Sequence, residues 1–194
     1  MRGYFGIGIE GISKPMNAGA IFRTAHAFGA DFVFTVAATY TRRVAARADT
    51  SDTPGHVPFY SFPDIASMVL PEGCRLVGVE LTDDAIELPS FHHPGQAAYV
   101  LGPERGSLSP GMTARCDFTV KIPTRFCVNV GIAAAVIMYD RTVSLGRFAP
   151  RPVTPGGPTE DLPRHSHGGP VFRTDVERFR DTPPDETVFQ DADD

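Results

Sequence analysis

Between Ala98 and Ala135 two short apolar runs each stop abruptly at glycine or proline, and this pattern constrains the fold more than any other feature of the chain. The first run, Ala98–Leu101, breaks at Gly102-Pro103-Glu104-Arg105-Gly106. The second, Phe118–Ile122, breaks at Pro123-Thr124-Arg125. Short apolar runs bounded by Gly and Pro read as buried strands of a largely parallel sheet. In open parallel sheets ligands sit just beyond the carboxyl ends of strands, so both breaks fall where a ligand would bind. After the second break, Asn129 precedes the long apolar segment Val130–Leu145, which reads as a helix with Asn129 at its N-cap. The expected fold class is α/β, a mostly parallel sheet flanked by helices.

The rest of the chain fits this frame. Gly3–Glu10, Asp31–Ala37 and Cys74–Leu81 read as further strands, and the end of the last, Val79-Glu80-Leu81, is a third ligand-side loop. From Asn17 to Phe28 the apolar residues Ala18, Ile21, Phe22, Ala25 and Phe28 form a helical stripe. Arg23 lies off that stripe, and Asn17 stands near the helix start, where it can cap. Ile65–Leu70 reads as a short helix, and Ser109-Pro110 as a cap followed by the first helical position of another. Along 130–148, Ile132, Ala135, Val136, Tyr139 and Val143 form the expected buried face. Gly102 is read as a place where a cofactor base approaches the backbone. Glu104 has three open readings: it bonds loop amides, bonds a ribose hydroxyl, or caps a turn.

Several function classes recede. Gly6-Ile7-Gly8-Ile9-Glu10-Gly11 fits the dinucleotide-binding fingerprint, but its glycines lie inside the strand and Ser13-Lys14-Pro15 follows where a helix should already run. The three cysteines, Cys74, Cys116 and Cys127, lack CxxC spacing, which argues against a disulfide framework or a zinc site. His92-His93 has no carboxylate at ligand spacing and reads as a solvated loop, so no metal is expected. No apolar run is long enough to cross a bilayer, and the default expectation is a cytoplasmic protein.

Net charge is −5, yet residues 1–150 carry 13 basic and 13 acidic side chains, whereas residues 151–194 carry 5 and 10. The acidic excess thus belongs to a Pro/Gly-rich extension that reads as flexible or surface-wrapped, beyond a body spanning 1–150. Within the body, Arg42, Arg43 and Arg47 cluster, and two readings stay open: a local cluster that binds phosphate without a basic total, or scattered solvated arginines.

Three segments together resemble the SpoU or TrmH branch of the SPOUT RNA methyltransferases. They are Asn17 to Ala25 through Phe28-Gly29, Leu101 to Ser109, and Ile122-Pro123 followed by Cys127-Val128-Asn129-Val130 and Ala133-Ala134. The resemblance covers roughly the first three quarters of the chain. It implies a trefoil-knotted fold, a homodimer packed through the helix after Asn129, and S-adenosylmethionine as cofactor. It implies cofactor contacts at Val79, Leu101, Gly102, Glu104, Ile122, Cys127 and Val128. It places Arg23, Asn17, Glu104 and Asn129 at the catalytic centre and Arg23 against RNA; the Arg42, Arg43 and Arg47 cluster and Arg125 in a ligand-side loop are read, from their placement alone, as further RNA contacts. The implied reaction is 2′-O-methylation of an RNA ribose. The compact chain, with no separate RNA-binding domain before the first motif, points to tRNA. The alternatives are rRNA methylation and a non-catalytic RNA-binding relative, the latter because Cys127 replaces the family's usual Ser and the loop from Ile122 to Asn129 is short.

Overall fold

The computed structural model describes residues 3–38, 56–148, 151–152 and 155–156. The chain divides into two units, Met1–Arg147 and Phe148–Asp194, and the architecture below is that of the first. In chain order its described elements are β1 (Tyr4–Glu10), α1 (Pro15–Ala27), β2 (Phe32–Val36), β3 (Phe59–Phe62), β4 (Arg75–Val79), β5 (Ile86–Glu87), β6 (Gln96–Leu101), α2 (Pro110–Arg115), β7 (Phe118–Lys121) and α3 (Val130–Leu145), with a 3₁₀ turn at Leu88–Ser90. The seven strands form one sheet in the order β3-β2-β1-β6-β4-β7-β5, and every pairing is parallel.

Both faces of the sheet are covered at its centre, which is why β1, β2 and β6 are almost wholly apolar instead of alternating. Phe5, Ile7 and Ile9 of β1 and Ala97, Tyr99 and Leu101 of β6 face a core shared with α1 and α3. Their neighbours Ala98 and Val100, with Phe32, Phe34 and Leu76, face a second core closed by Met68, Leu108 and Met112. On that second face Gly6 and Gly8 lie beneath aromatic rings. A Cβ at Gly6 would meet the Phe32 ring at 2.2 Å, and one at Gly8 would meet the Phe34 ring at 2.4 Å. The glycines that imitate a nucleotide fingerprint are therefore packing glycines.

Three local readings need correction. The Ile65–Leu70 segment is not helical: Asp64 and Ser67 close a tight turn, Ser67 N donating to Asp64 Oδ1 at 2.7 Å, and Met68 alone is buried there. β3, an exposed Phe-Tyr-Ser-Phe strand, is present where no strand was expected, its partner β2 supplying the ladder. On α3 the buried face is Val130, Ala134, Ile137, Met138 and Arg141, and the face expected to be buried is turned outward. Ile132 and Tyr139 are 57% and 56% exposed. Residues 130, 134, 137, 138 and 141 and residues 132, 136, 139 and 143 both follow helical spacing, so periodicity could not choose between them.

Candidate active site

Because every strand runs the same way, the loops after β1, β4, β6 and β7 gather at one edge of the sheet. The last three of these loops, with the start of α3, surround an open cleft holding about 810 Å³ of space free of atoms, open solvent included. Val79, Leu101, Ile122 and Val128 give it apolar walls, and Gly102, Glu104 and Cys127 also line it. All seven residues expected at the cofactor site thus meet in one cleft, though they come from three separate segments. A cleft with mostly apolar walls and a few convergent polar groups is the usual form of a small-molecule site.

A chain of hydrogen bonds joins the three sequence motifs. Asn129 Nδ2 donates to Asn17 Oδ1 at 3.5 Å, and Asn17 Nδ2 donates to Glu104 Oε1 at 3.1 Å. Asn129 also caps α3 as expected, its Oδ1 accepting from Gly131 N at 2.8 Å. Asn17 does not cap α1. The helix starts at Pro15 with Lys14 at the N-cap, and Lys14 makes no side-chain cap bond. Glu104 serves that end from the loop after β6: it accepts from Lys14 N at 3.0 Å, and from Ser13 N and Ser13 Oγ at 3.3 and 3.1 Å. Burial pushes the Glu104 carboxyl up. Its own backbone amide, the Asn17 side chain and the Lys14 and Ser13 amides outweigh that and hold it below the ordinary carboxylate value. The carboxylate is ionised and fully engaged.

Two further acidic residues shape the loop after β6. Glu10, buried at the end of β1, accepts from Ser109 Oγ at 2.6 Å and Ser109 N at 2.9 Å. Glu80, at the end of β4, accepts from Leu108 N at 2.7 Å and Leu81 N at 2.9 Å. Ser109 itself caps α2, accepting from Met112 N at 3.1 Å. Gly102 has a packing reason to be glycine besides the one read in the sequence. A Cβ there would lie 3.0 Å from Leu108 N and 3.1 Å from Ser107 C, so the loop's own backbone fills the position. The sequence reading missed Glu10 and missed this role of Glu80, whose only signal is an acid at a strand end.

The arginines are placed less uniformly. Arg23 is exposed on α1, away from the buried Ala18, Ile21, Phe22 and Ala25. Arg105 and Arg125 are exposed in the loops after β6 and β7. Arg42, Arg43 and Arg47 lie outside the described residues.

At the opposite edge of the sheet, His93 is buried, not solvated. Its Nδ1 meets the Tyr99 hydroxyl at 2.6 Å and its Nε2 meets Asp140 Oδ2 at 2.9 Å. Beside it, Arg141 of α3 donates to the carbonyls of Pro94, Gly95 and Tyr4, and to the Tyr99 hydroxyl, pinning α3 to the amino ends of β1 and β6. Among the described residues no group of three or more His, Cys, Asp or Glu is arranged to hold a metal ion, and no helix is long and apolar enough to cross a membrane.

Comparison with known proteins points to the same family. The model of the SpoU rRNA methylase family matches residues 5–139. A Staphylococcus haemolyticus protein assigned to the TrmH family of tRNA/rRNA methyltransferases is 33% identical over 143 residues, covering 68% of this chain and 55% of that protein. The chain thus spans about half the length of the curated relatives it matches. Among solved structures, the SpoU methyltransferase AviRb of Streptomyces viridochromogenes in complex with AdoMet superposes with a TM-score of 0.64 at 23% identity, over 76% of this chain and 60% of that one. A structure described as giving insight into the 2-OH methylation of C/U34 on tRNA superposes with a TM-score of 0.65 at 24% identity, over 75% of this chain and 98% of that one. With its three motifs joined around one cleft and the family model spanning them all, the chain belongs to the SpoU methylase family.

Proposed function

We propose that this protein is an S-adenosylmethionine-dependent RNA methyltransferase that methylates a ribose 2′-hydroxyl. The observation that carries the reading is the Asn129–Asn17–Glu104 chain beside the cleft, which binds the three family motifs into one site. The cleft suits the cofactor: its apolar walls fit an adenine, and its strand-end backbone groups and the Glu80 carboxylate supply polar partners. When bound, the cofactor supplies an electrophilic methyl group whose leaving group is a neutral thioether.

The chain's own residues would then position the acceptor, and positioning alone can supply much of the rate. Arg23 stays protonated in nearly any protein setting, so it serves as a phosphate clamp that orients the hydroxyl and not as a base. Asn17 and Asn129 keep the start of α1 and the start of α3 in register across the cleft mouth. Glu104 is a positioning residue, since its oxygens are already occupied by the α1 start. Arg125, with Arg42, Arg43 and Arg47, extends the proposed phosphate contacts. The extension after residue 150 is assigned no part in the reaction.

The proposed substrate is tRNA, with rRNA as the alternative. Similarity to the structure described for tRNA 2-OH methylation, matched over 98% of its length, favours the first. A cytoplasmic homodimer is part of the same proposal. The outward face of α3, with Ile132, Val136, Tyr139 and Val143, is an apolar stripe that a second copy would bury. Nucleoside mass spectrometry of separated tRNA and rRNA from a deletion strain tests the function. One missing 2′-O-methyl mark in the tRNA is expected, and unchanged marks in both pools would refute it.

A further inference from the structure

Glu80 is an acid in a cleft whose other walls are largely apolar, and none of the motifs that define the family includes it. Each of its oxygens accepts one backbone N–H, Oε1 from Leu81 and Oε2 from Leu108. A carboxylate offers about four lone-pair sites, so each oxygen keeps one acceptor position. Among the described residues Glu80 has no ion-pair partner. Lys121, the cation of the cleft, is turned aside, its Nζ donating to the carbonyls of Thr82 and Asp83 at 3.1 Å each. Glu104 is the other acid of the cleft, and its oxygens are taken up by Ser13, Lys14 and Asn17. Glu80 is thus the carboxylate with acceptor capacity to spare.

Its position says which part of a ligand it faces. β6 lies between β1 and β4 in the sheet. Asn17, just after β1, and Glu80, at the end of β4, therefore stand on opposite sides of the Gly102 loop. If the reacting end of the cofactor faces the Asn17–Asn129 pair, its nucleoside end lies toward Glu80. Two neighbouring hydroxyl donors match two carboxylate oxygens with one vacant acceptor site each, and an acid at a strand end bonding a ribose hydroxyl is a recurrent arrangement in nucleotide-binding sheets. We propose that Glu80 binds the 2′,3′-diol of the cofactor's adenosine ribose, while its existing bonds to Leu81 and Leu108 hold the β4 and β6 loops at the spacing that diol requires.

This inference rests on the S-adenosylmethionine reading, and calorimetry separates the two. The probes are S-adenosylhomocysteine, its 3′-deoxy analogue and 5′-methylthioadenosine, titrated into the wild-type protein, Glu80→Ala and Glu80→Gln. In the wild type, loss of the 3′-hydroxyl should weaken binding roughly tenfold or more, the scale of a hydrogen bond to a charged group. In Glu80→Ala the same deletion should cost less than about twofold, because the partner is already gone. Methylthioadenosine, which keeps the diol but lacks the amino acid end, should lose affinity in the variant as S-adenosylhomocysteine does. Glu80→Gln keeps an acceptor and guards against misfolding of the alanine variant; it should fall between the two. An equal penalty for the missing hydroxyl in wild type and variants would overturn the assignment while leaving the cofactor reading intact. Variant losses confined to ligands with the amino acid end would also overturn it, placing Glu80 against the ammonium. No wild-type binding of any probe would overturn both.

Discussion

Asn17 and Glu104, 87 positions apart in the sequence, share a hydrogen bond of 3.1 Å at the mouth of the cleft. Through it the loop after β6 holds the first turn of α1, and Asn129 joins the same pair from α3. Glu104→Ala removes the acceptor for Ser13, Lys14 and Asn17 together. It should lower stability by about 1–2 kcal/mol, the scale of partly exposed charge-assisted bonds, and should lower methyl transfer by far more than that loss explains. Thermal melts beside single-turnover transfer assays check this, and wild-type transfer in a folded Glu104→Ala protein would remove the chain of bonds from the mechanism.

Cys127 offers a probe of the cleft that does not depend on turnover. Burial pushes the Cys116 thiol up to about 11 and also raises Cys74, whereas Cys127 is exposed at the cleft. The thiolate is the reactive form, so alkylation should concentrate at Cys127. Saturating S-adenosylmethionine should slow labelling of its peptide several-fold in a mass-spectrometric time course. Labelling at an unchanged rate with cofactor demonstrably bound would place the cofactor elsewhere.

His93 sets a pH dependence. Burial lowers its pKa from the ordinary 6.5; the hydrogen bond and charge of Asp140 oppose this, while the nearby Arg141 and His92 add to the lowering. Its native pKa lies below its unfolded value, so the unfolded chain binds more protons in the interval between them, and stability rises with pH there. The contribution is present above about pH 6.5 and is lost as pH falls through that interval. The melting temperature should drop between pH 7 and pH 5, and His93→Gln should flatten that part of the profile. An unaltered slope in the variant would assign the effect to other groups.

What could be read before folding, and what could not, divides by distance along the chain. Gly102-Pro103 and Pro123 end strands through backbone chemistry that is local, and Ser109 and Asn129 cap helices beginning one residue later, so all four were visible. Six of the seven cleft residues came from the family motifs and Val79 from a strand end, and the sheet's parallel order brings them together. The Glu10–Ser109 bond spans 99 positions and the His93–Asp140 contact spans 47. No window of sequence contains either pair. The outward face of α3 was misread because two stripes share one helix and the inner one includes Arg141, a residue that apolar patterning excludes.

That outward face gives the next test. Tyr139 is 56% exposed, at the centre of the stripe proposed to meet a second copy. Tyr139→Asp should leave the core of one subunit unchanged and shift the sedimentation of a dimer to that of a monomer at micromolar concentration. A folded and active wild-type monomer under the same conditions would contradict the dimer proposal.

Arg23→Ala separates the proposed phosphate clamp from a surface arginine with no part in transfer. Arg23 is exposed on α1, so folding should change little. S-adenosylmethionine affinity should also hold, because Arg23 is not among the cleft-lining residues. Transfer should fall by orders of magnitude, since misplacing an acceptor by about an ångström can cost roughly a hundredfold. Parallel loss of cofactor affinity would instead move Arg23 into the cofactor site.

The most direct test of the central claim follows an isotope-labelled methyl group from S-adenosylmethionine into RNA. The protein is incubated with labelled cofactor and RNA from a strain lacking it, and the RNA is digested to nucleosides for mass spectrometry. The label should appear in a single nucleoside, on the ribose fragment and not on the base, and should disappear with Arg23→Ala. Label on a base, or no incorporation into tRNA or rRNA by a protein that binds the cofactor, would contradict the account.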